Sequence, residues 1–313
     1  MNSRVLAKQW SYKRYSQYES ELRKIATDWF RSKGYDTDDK YSFILKNYDE
    51  WTKNIILPEV ADFIKLQIKE QDSFPLHKYI HHGLSSQALV FNLVGPLIVN
   101  SDLTPLLSLM QKKGIQLNSD KFNAEFEFED RDVFNEDSGQ PTSIDLVLKN
   151  DLGKPVVFIE SKLVEKEFGG CSVYKLGDCD GRNPKDDLSS CYLHFIGRKY
   201  WDKLIEYGFL NSQIGSDSSC VLVNNYQYFR ELLFALSNDG IFILLFDERN
   251  PTFFNSNGVK VRGLMDYLKT LTPEKYHHRI AHISIQELVK EISLFDNHKW
   301  LNEFKIKYGL NAI

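Results

Sequence analysis

The chain has 313 residues, of which 42% are hydrophobic and 13% aromatic, enough for one large domain or one domain with an appendage. Charged residues make up 26% and the formal charge is −4, which argues against nonspecific polyanion binding over the whole surface but leaves room for a local basic cleft. Apolar runs such as Ile241–Phe246 fall well short of the ~20 residues of a spanning helix; Met1–Leu6 carry no apolar signal core, and four cysteines are too few for a secreted disulfide framework, so a cytoplasmic protein without a membrane segment is expected.

Residues 1–80 are rich in Tyr, Trp, Lys and Glu and read as a helical N-terminal extension. Leu22, Ile25, Ala26, Trp29 and Phe30 have helical spacing with Gly34 as a stop, and Glu59–Ile68, preceded by Pro58, is a second helix. No chemical motif stands out in this part, and a helical cap or partner-binding region is its plain reading. Leu84–Val94 predicts a buried helix capped by Ser85 or Ser86, with Gly95-Pro96 ending or kinking it. Phe122–Glu129 alternates, placing Phe122, Ala124, Phe126 and Phe128 on one face and Glu125, Glu127 and Glu129 on the other, as in a half-buried strand.

Two aliphatic runs follow, Ile144-Asp145-Leu146-Val147-Leu148 and Val156-Val157-Phe158-Ile159-Glu160-Ser161-Lys162, joined by the turn-forming Asn150-Asp151-Leu152-Gly153. Beyond a Cys/Gly-rich connection, Tyr200–Tyr207 and Tyr226–Leu236 read as helices and Ile241–Phe246 as a buried strand. Asp247–Gly258 reads as a loop, and the remainder as helical. The order helix, three strands, helix, strand predicts an α/β domain over residues 81–313, with a central mixed sheet flanked by helices.

A hairpin symmetric about Leu152 and Gly153 sets Asp145 opposite Glu160, and opposed residues have Cβ atoms about 4.5–5.5 Å apart. Carboxylates at that separation can share a divalent cation, and Lys162, two positions after Glu160, falls on the same face. Burying such charges in an apolar run is costly unless they have work to do. Mg²⁺ suits one or two carboxylates with water and phosphate oxygens in the other positions, and can activate water for phosphodiester hydrolysis. Asp145 and Glu160 are therefore candidate ligands, with the Ser161 carbonyl as an extra one, and Lys162 is a candidate to orient the water. A neighbouring acid would complete the cluster: Glu127 is preferred, with Glu125 and Glu129 as rivals that pattern alone does not separate. The plainer reading is an exposed hairpin with a cross-strand salt bridge, which fits poorly with the buried character of Val156–Ile159.

Asp145, the fifteen-position step to Glu160, and Glu160-Ser161-Lys162 resemble the PD-(D/E)XK nuclease superfamily. A longer set resembles a bacterial restriction-endonuclease-like branch of it over roughly residues 80–290. That set comprises Ser85-Ser86-Gln87 with Asn92, Glu160-x-Lys162-x-x-Glu165-x-x-Phe168-Gly169-x-Cys171, Tyr200-Trp201, Tyr226-Gln227-x-x-Arg230 and Asp247-x-x-Asn250-Pro251. Ile144 stands where the family name has proline, which removes no ligand. The resemblance implies a restriction-endonuclease-like core and Mg²⁺-dependent cleavage of DNA, with Mn²⁺ as a substitute, in restriction or phage defence. The alternatives are a nucleic-acid-binding module with the nuclease fold but little activity, or a nuclease acting on RNA or branched DNA. A homodimer is plausible, because cutting two strands often takes two active sites.

Gln87 and Gln227 lie on helices with apolar opposite faces and are candidate contacts for a phosphate or a water, or ordinary surface amides. Cys171, Cys179, Cys191 and His194 fall within 24 positions and could bind zinc, yet the spacing lacks a short knuckle and free cysteines are the simpler reading. Cys220 reads as a small core residue, and His81 and His82 as loop residues. Lys154, Lys162, Lys166, Lys175, Arg182, Lys185, Arg198 and Lys199, interleaved with Asp178, Asp180, Asp186 and Asp187, form either a solvated surface or a phosphate-contacting rim.

Overall fold

The computed structural model describes residues 16–71, 74–117, 119, 121–254, 263–296 and 298–311. The readings for Met1–Leu6 and for the tail of the Asp247–Gly258 loop lie outside the described residues. The longer helices are α1 (Ser16–Ser32), α2 (Pro58–Glu70), α3 (Ser86–Val99), α4 (Thr104–Lys112), α5 (Tyr200–Glu206), α6 (Leu222–Ser237), α7 (Leu264–Leu271), α8 (Ile285–Ile292) and α9 (Trp300–Tyr308). Five strands, β1 (Phe122–Glu129), β2 (Ser143–Asn150), β3 (Pro155–Lys162), β4 (Ile241–Phe246) and β5 (Ile280–Ser284), lie side by side in chain order. The first three are antiparallel, and β4 and β5 continue parallel to β3, giving the expected mixed sheet flanked by helices. Among the described residues no single helix is long and apolar enough to cross a membrane, although α3 and α4 meet the length and composition test as a bent pair.

Each face of the sheet buries its own core. Leu146, Leu148, Val157 and Ile159 pack with α1–α4, α8 and α9, while Val147, Phe158, Phe242 and Leu244 pack with α5, α6 and α7. The N-terminal helices therefore share a core with the sheet: Tyr18, Leu22 and Ala26 of α1 and Val60 and Ile64 of α2 are buried in it. Gly34, in the left-handed conformation, follows the end of α1, and Tyr35 N–H returns to Phe30 O to satisfy the last turn. Pro58 opens α2 at its first position, where a missing N–H has no cost.

Three expectations are corrected. Helix α3 runs through Gly95-Pro96 to Val99, because Gly95 lies against Val60 and burial on every side from Gln87 to Leu97 sustains it. The C-terminal part is not all helix, since Ile280–Ser284 forms the edge strand β5. The alternation of β1 breaks at Glu127, whose φ of +52° turns the chain so that Phe126 packs on one face and Phe128 on the other. Ile144 and Leu146 of β2 divide between the same two cores, so the faces exchange at the level of Glu127 and Asp145.

One buried amine joins the two ends of the described chain. Lys307 Nζ of α9 donates to Asn54 Oδ1 (2.6 Å) and sits 3.6 Å from the centre of the Trp29 ring. Burial drives its pKa well below 10.5, and Glu303 opposes this only in part. A lysine whose folded pKa is depressed contributes no penalty above 10.5, and the fold loses stability as pH falls from there toward the folded value. The contribution of this group to unfolding free energy should therefore rise with pH below 10.5, by up to about 1.4 kcal/mol per unit. In Lys307→Met that slope should shrink, whatever constant offset the loss of the Asn54 bond adds. Urea titrations at several pH values read this directly, and equal slopes in both proteins would refute it.

Candidate active site

The hairpin closes as its symmetry requires. Leu146 pairs with Ile159, Val147 with Phe158 and Leu148 with Val157, and one irregularity at Lys149 absorbs the turn. Asn150 Oδ1 accepts the N–H groups of Leu152 and Lys154, and Gly153 takes a positive φ. The described ladder ends at Leu146 and Ile159, and Asp145 and Glu160 stand at the next step, where the strands part. Asp145 Oδ2 there accepts the Ser161 backbone N–H (2.8 Å). The site thus lies at the carboxyl end of β3, on the rim where parallel strands commonly present chemistry.

Alternation along β3 sends Ser161 toward α3, where its hydroxyl donates to Ser86 O (3.4 Å), and Glu160 and Lys162 toward α6. Glu160 and Lys162 are 2% and 5% exposed and form a buried ion pair. Gln227 of α6 bridges them: its Nε2 donates to Glu160 Oε1 (2.7 Å) and its Oε1 accepts from Lys162 Nζ (3.0 Å). Gln227 is itself held by its N–H, which donates to Phe168 O (3.2 Å), and the Phe168 ring lies 5.5 Å beneath the ammonium. Regular α6 geometry begins just before it, after a non-helical Asn225.

Glu127 is the acid that β1 supplies. Its Oε1 accepts from Gln87 Nε2 (2.5 Å) and its Oε2 from the Ser143 hydroxyl (2.8 Å). Gln87 also donates to Pro75 O (2.9 Å) and accepts His77 N–H (2.8 Å), so its amide is engaged with the protein and aims Glu127. Glu125, the first rival, pairs with Lys149 beside the Phe128 ring instead. Glu129, the second, lies close enough to raise the Glu127 pKa, after Glu160.

A residue the sequence reading missed completes the group. Glu231, one turn beyond Gln227 on α6, is 1% exposed, and its Oε2 has no hydrogen-bond partner. The Gln227-x-x-x-Glu231 spacing, which puts both on one helix face, was the available signal. Burial, and then Glu160, hold its carboxyl well above the ordinary range. Asp145 is raised well above its usual value by burial and by Glu160 and Glu127, and Glu127 is pushed up to about 7, chiefly by burial. Lys162 runs the other way: burial would lower it, but Glu160, Glu165, Glu231 and Asp145 keep it charged far above neutrality. One ammonium therefore serves several carboxylates. Among the described residues no three His, Cys, Asp or Glu side chains form a ready metal-holding group, and the ammonium lies against Glu160.

Much of the longer motif set is scaffold. Arg230 donates to Glu136 (2.9 Å) and Thr142 (2.9 Å), and Tyr200 donates to the same Glu136 carboxylate. Asn250 Nδ2 holds the carbonyls of Leu163 and Glu165, both at 3.0 Å, just past β3. Asn92 ties Asn54 O (3.0 Å) to the Tyr308 hydroxyl (3.1 Å). His194 faces Asp202 rather than the cysteines it was grouped with.

The family model described as "Restriction Endonuclease associating with ARP" matches residues 18–309. The chain belongs to this family. Membership in this restriction-endonuclease family agrees with the resemblance carried by Asp145, Glu160 and Lys162, and it covers the N-terminal helices as well as the sheet. No curated protein and no solved structure gives a significant match.

The raised carboxyl of Glu127 has a measurable consequence. A folded pKa near 7 against 4.5 means that the fold holds this proton more tightly than the unfolded chain does. That contribution is full below 4.5 and is lost as pH rises through 7. Glu127→Gln, which keeps the shape and never ionises, should equal the wild type near pH 4.5 and exceed it at pH 8 by on the order of 2–3 kcal/mol, at roughly 1.4 kcal/mol per unit. Thermal melts in EDTA across that range test it, and a variant no better at pH 8 than at pH 4.5 would refute the assignment.

Proposed function

We propose that this protein is a Mg²⁺-dependent endonuclease that hydrolyses DNA phosphodiester bonds in restriction or phage defence, in the cytoplasm. What carries the reading is the placing of half-buried Asp145 beside the buried Glu160 and Lys162 at the open end of the hairpin, among carboxylates that repel one another. The donor set fits a hard divalent cation: all oxygen, in excess of the one ammonium, with Glu231 Oε2 unsatisfied. Asp145, Glu160 and Glu127 would hold Mg²⁺, or Mn²⁺ in its place, with Glu231 facing the same group. When bound, the ion would supply a water of lowered pKa and neutralise charge on the phosphate.

The chain's own residues do the rest. Glu160 and Gln227 fix the Lys162 ammonium, so it can orient a water or offset developing charge without first being ordered. Asp145 is pinned by the Ser161 N–H and Glu127 by Gln87 and Ser143. Gln87 and Gln227 are positioning residues in this scheme. The family description speaks of association with ARP, and a protein partner of that kind belongs to the proposal, as does a homodimer that would set two sites on opposite strands.

Supercoiled plasmid should be nicked or linearised with Mg²⁺ or Mn²⁺ and left intact in EDTA. Glu160→Ala and Lys162→Ala should each lose at least about 100-fold, the usual cost of removing one transition-state contact. Glu231→Gln should shift the Mg²⁺ dependence to higher concentration. Cutting that survives both alanine variants would place the chemistry elsewhere, and activity on RNA alone would overturn the substrate assignment.

A further inference from the structure

The segment between β3 and α6, residues 163–221, is long for a connection inside a domain and has only short helices, Ser172–Leu176, Tyr192–Phe195, α5 and Gln213–Ser216, with tight turns between them. Irregular stretches of this length are uncommon without something to fasten them. All four cysteines of the chain come together here. Cys171, Cys179, Cys191 and Cys220 line one small apolar cavity with Tyr174 and Leu222. None is in a disulfide.

The chain is folded back on itself to achieve this. Cys220 N–H donates to Gly181 O (2.8 Å), Cys171 N–H to Leu222 O (3.1 Å), and Arg182 and Ser219 form an isolated antiparallel bridge. Gly181 takes a φ of +82° against the Tyr174 ring, and a side chain at Gly170 would collide with Val223 O. The histidine that the spacing suggested is replaced by a cysteine from 26 positions further on (220 against 194), which chain order alone would not show. Burial raises the thiol pKa values of Cys171 and Cys220, and the neighbouring cysteines add to both.

We infer that Cys171, Cys179, Cys191 and Cys220 form a structural tetrathiolate site for one Zn²⁺ that fastens the 171–221 segment beneath α6. A structural zinc site is closed, four-coordinate and well served by thiolates. The binding step balances as Zn²⁺ + 4 RSH → [Zn(SR)₄]²⁻ + 4 H⁺, with no redox change, and the ion supplies the charge that a buried thiolate otherwise lacks. In this structure no three of the thiols stand in metal-ligating geometry, so binding requires them to turn inward. The site is separate from the carboxylate group, and its metal content is read without any nuclease assay.

The test uses the full chain produced with zinc in the medium, with elemental analysis and thiol titration of the folded protein. The expected result is close to one zinc per chain, released when four thiols are modified. Cobalt exchanged into the wild type should give the intense visible bands of a tetrahedral thiolate complex, a readout that needs no variant. Cys191→Ser and Cys220→Ser should lose the metal, and His194→Ala should keep it. Folded protein holding less than about a tenth of an equivalent after zinc exposure, against the near-stoichiometric occupancy of structural sites, overturns the inference. So does loss of zinc in His194→Ala with retention in Cys220→Ser, or isolation of the four cysteines as two disulfides.

Discussion

The whole rim of the sheet is arranged around one buried ammonium. Lys162 is almost without solvent, and an amine in that position is stable as a cation only if fixed charges and dipoles replace its water. Glu160, two residues before it on the same strand face, supplies the charge, and Gln227 supplies the dipole, oriented correctly at both ends. That requirement fixes where α6 must sit against β3. It also fixes the turn at Phe168, which holds the Gln227 backbone. Removing any one of these partners leaves a buried charge or amide unpaired, a costlier change than the loss of one contact.

The polar residues away from the rim solve the same problem at lower stakes. Asn250 takes up two carbonyls that β3 leaves behind, Arg230 and Tyr200 converge on Glu136, and Asn92 satisfies the backbone that α3 meets at Asn54. Each is a side chain answering a backbone or carboxylate group that folding would otherwise bury unpaired. These residues stand out in the sequence as strongly as the acidic ones because a polar residue in an apolar run is conspicuous, whether it positions backbone or faces a reactant. Only the structure separates the two groups.

The hairpin was legible because its turn is symmetric and its strands are uninterrupted, so counting outward from Leu152 and Gly153 reaches Asp145 and Glu160 together, one step past the last described pair. The buried strand Ile241–Phe246 and the start of α1's apolar stripe were legible for similar reasons of period. The short strand β5 was not, since five residues leading straight into a helix offer too little alternation to register. Glu231 was hidden by its setting: a carboxylate beside Arg230 reads as an exposed helix charge, and only packing of α6 on the sheet turns it inward. Cys220 escaped its group because it lies 29 positions beyond Cys191 in the chain, and proximity there is made by backbone pairing at Gly181.

Glu127 shows how far local preference yields at the rim. A left-handed φ in a residue with a β-carbon costs on the order of 1–2 kcal/mol, and a strand offers nothing local in return. The compensation is tertiary: Gln87 and Ser143 each bind one carboxylate oxygen. Strict alternation would have sent this side chain to the face where Glu125 pairs with Lys149, away from α3. Turning the backbone at this single residue brings the acid to Gln87 and lets Phe128 cross to the other core, so one strained residue serves both packing and the carboxylate group. Strain held in place from several sides at such a position is what a site built for charge rather than for stability would show.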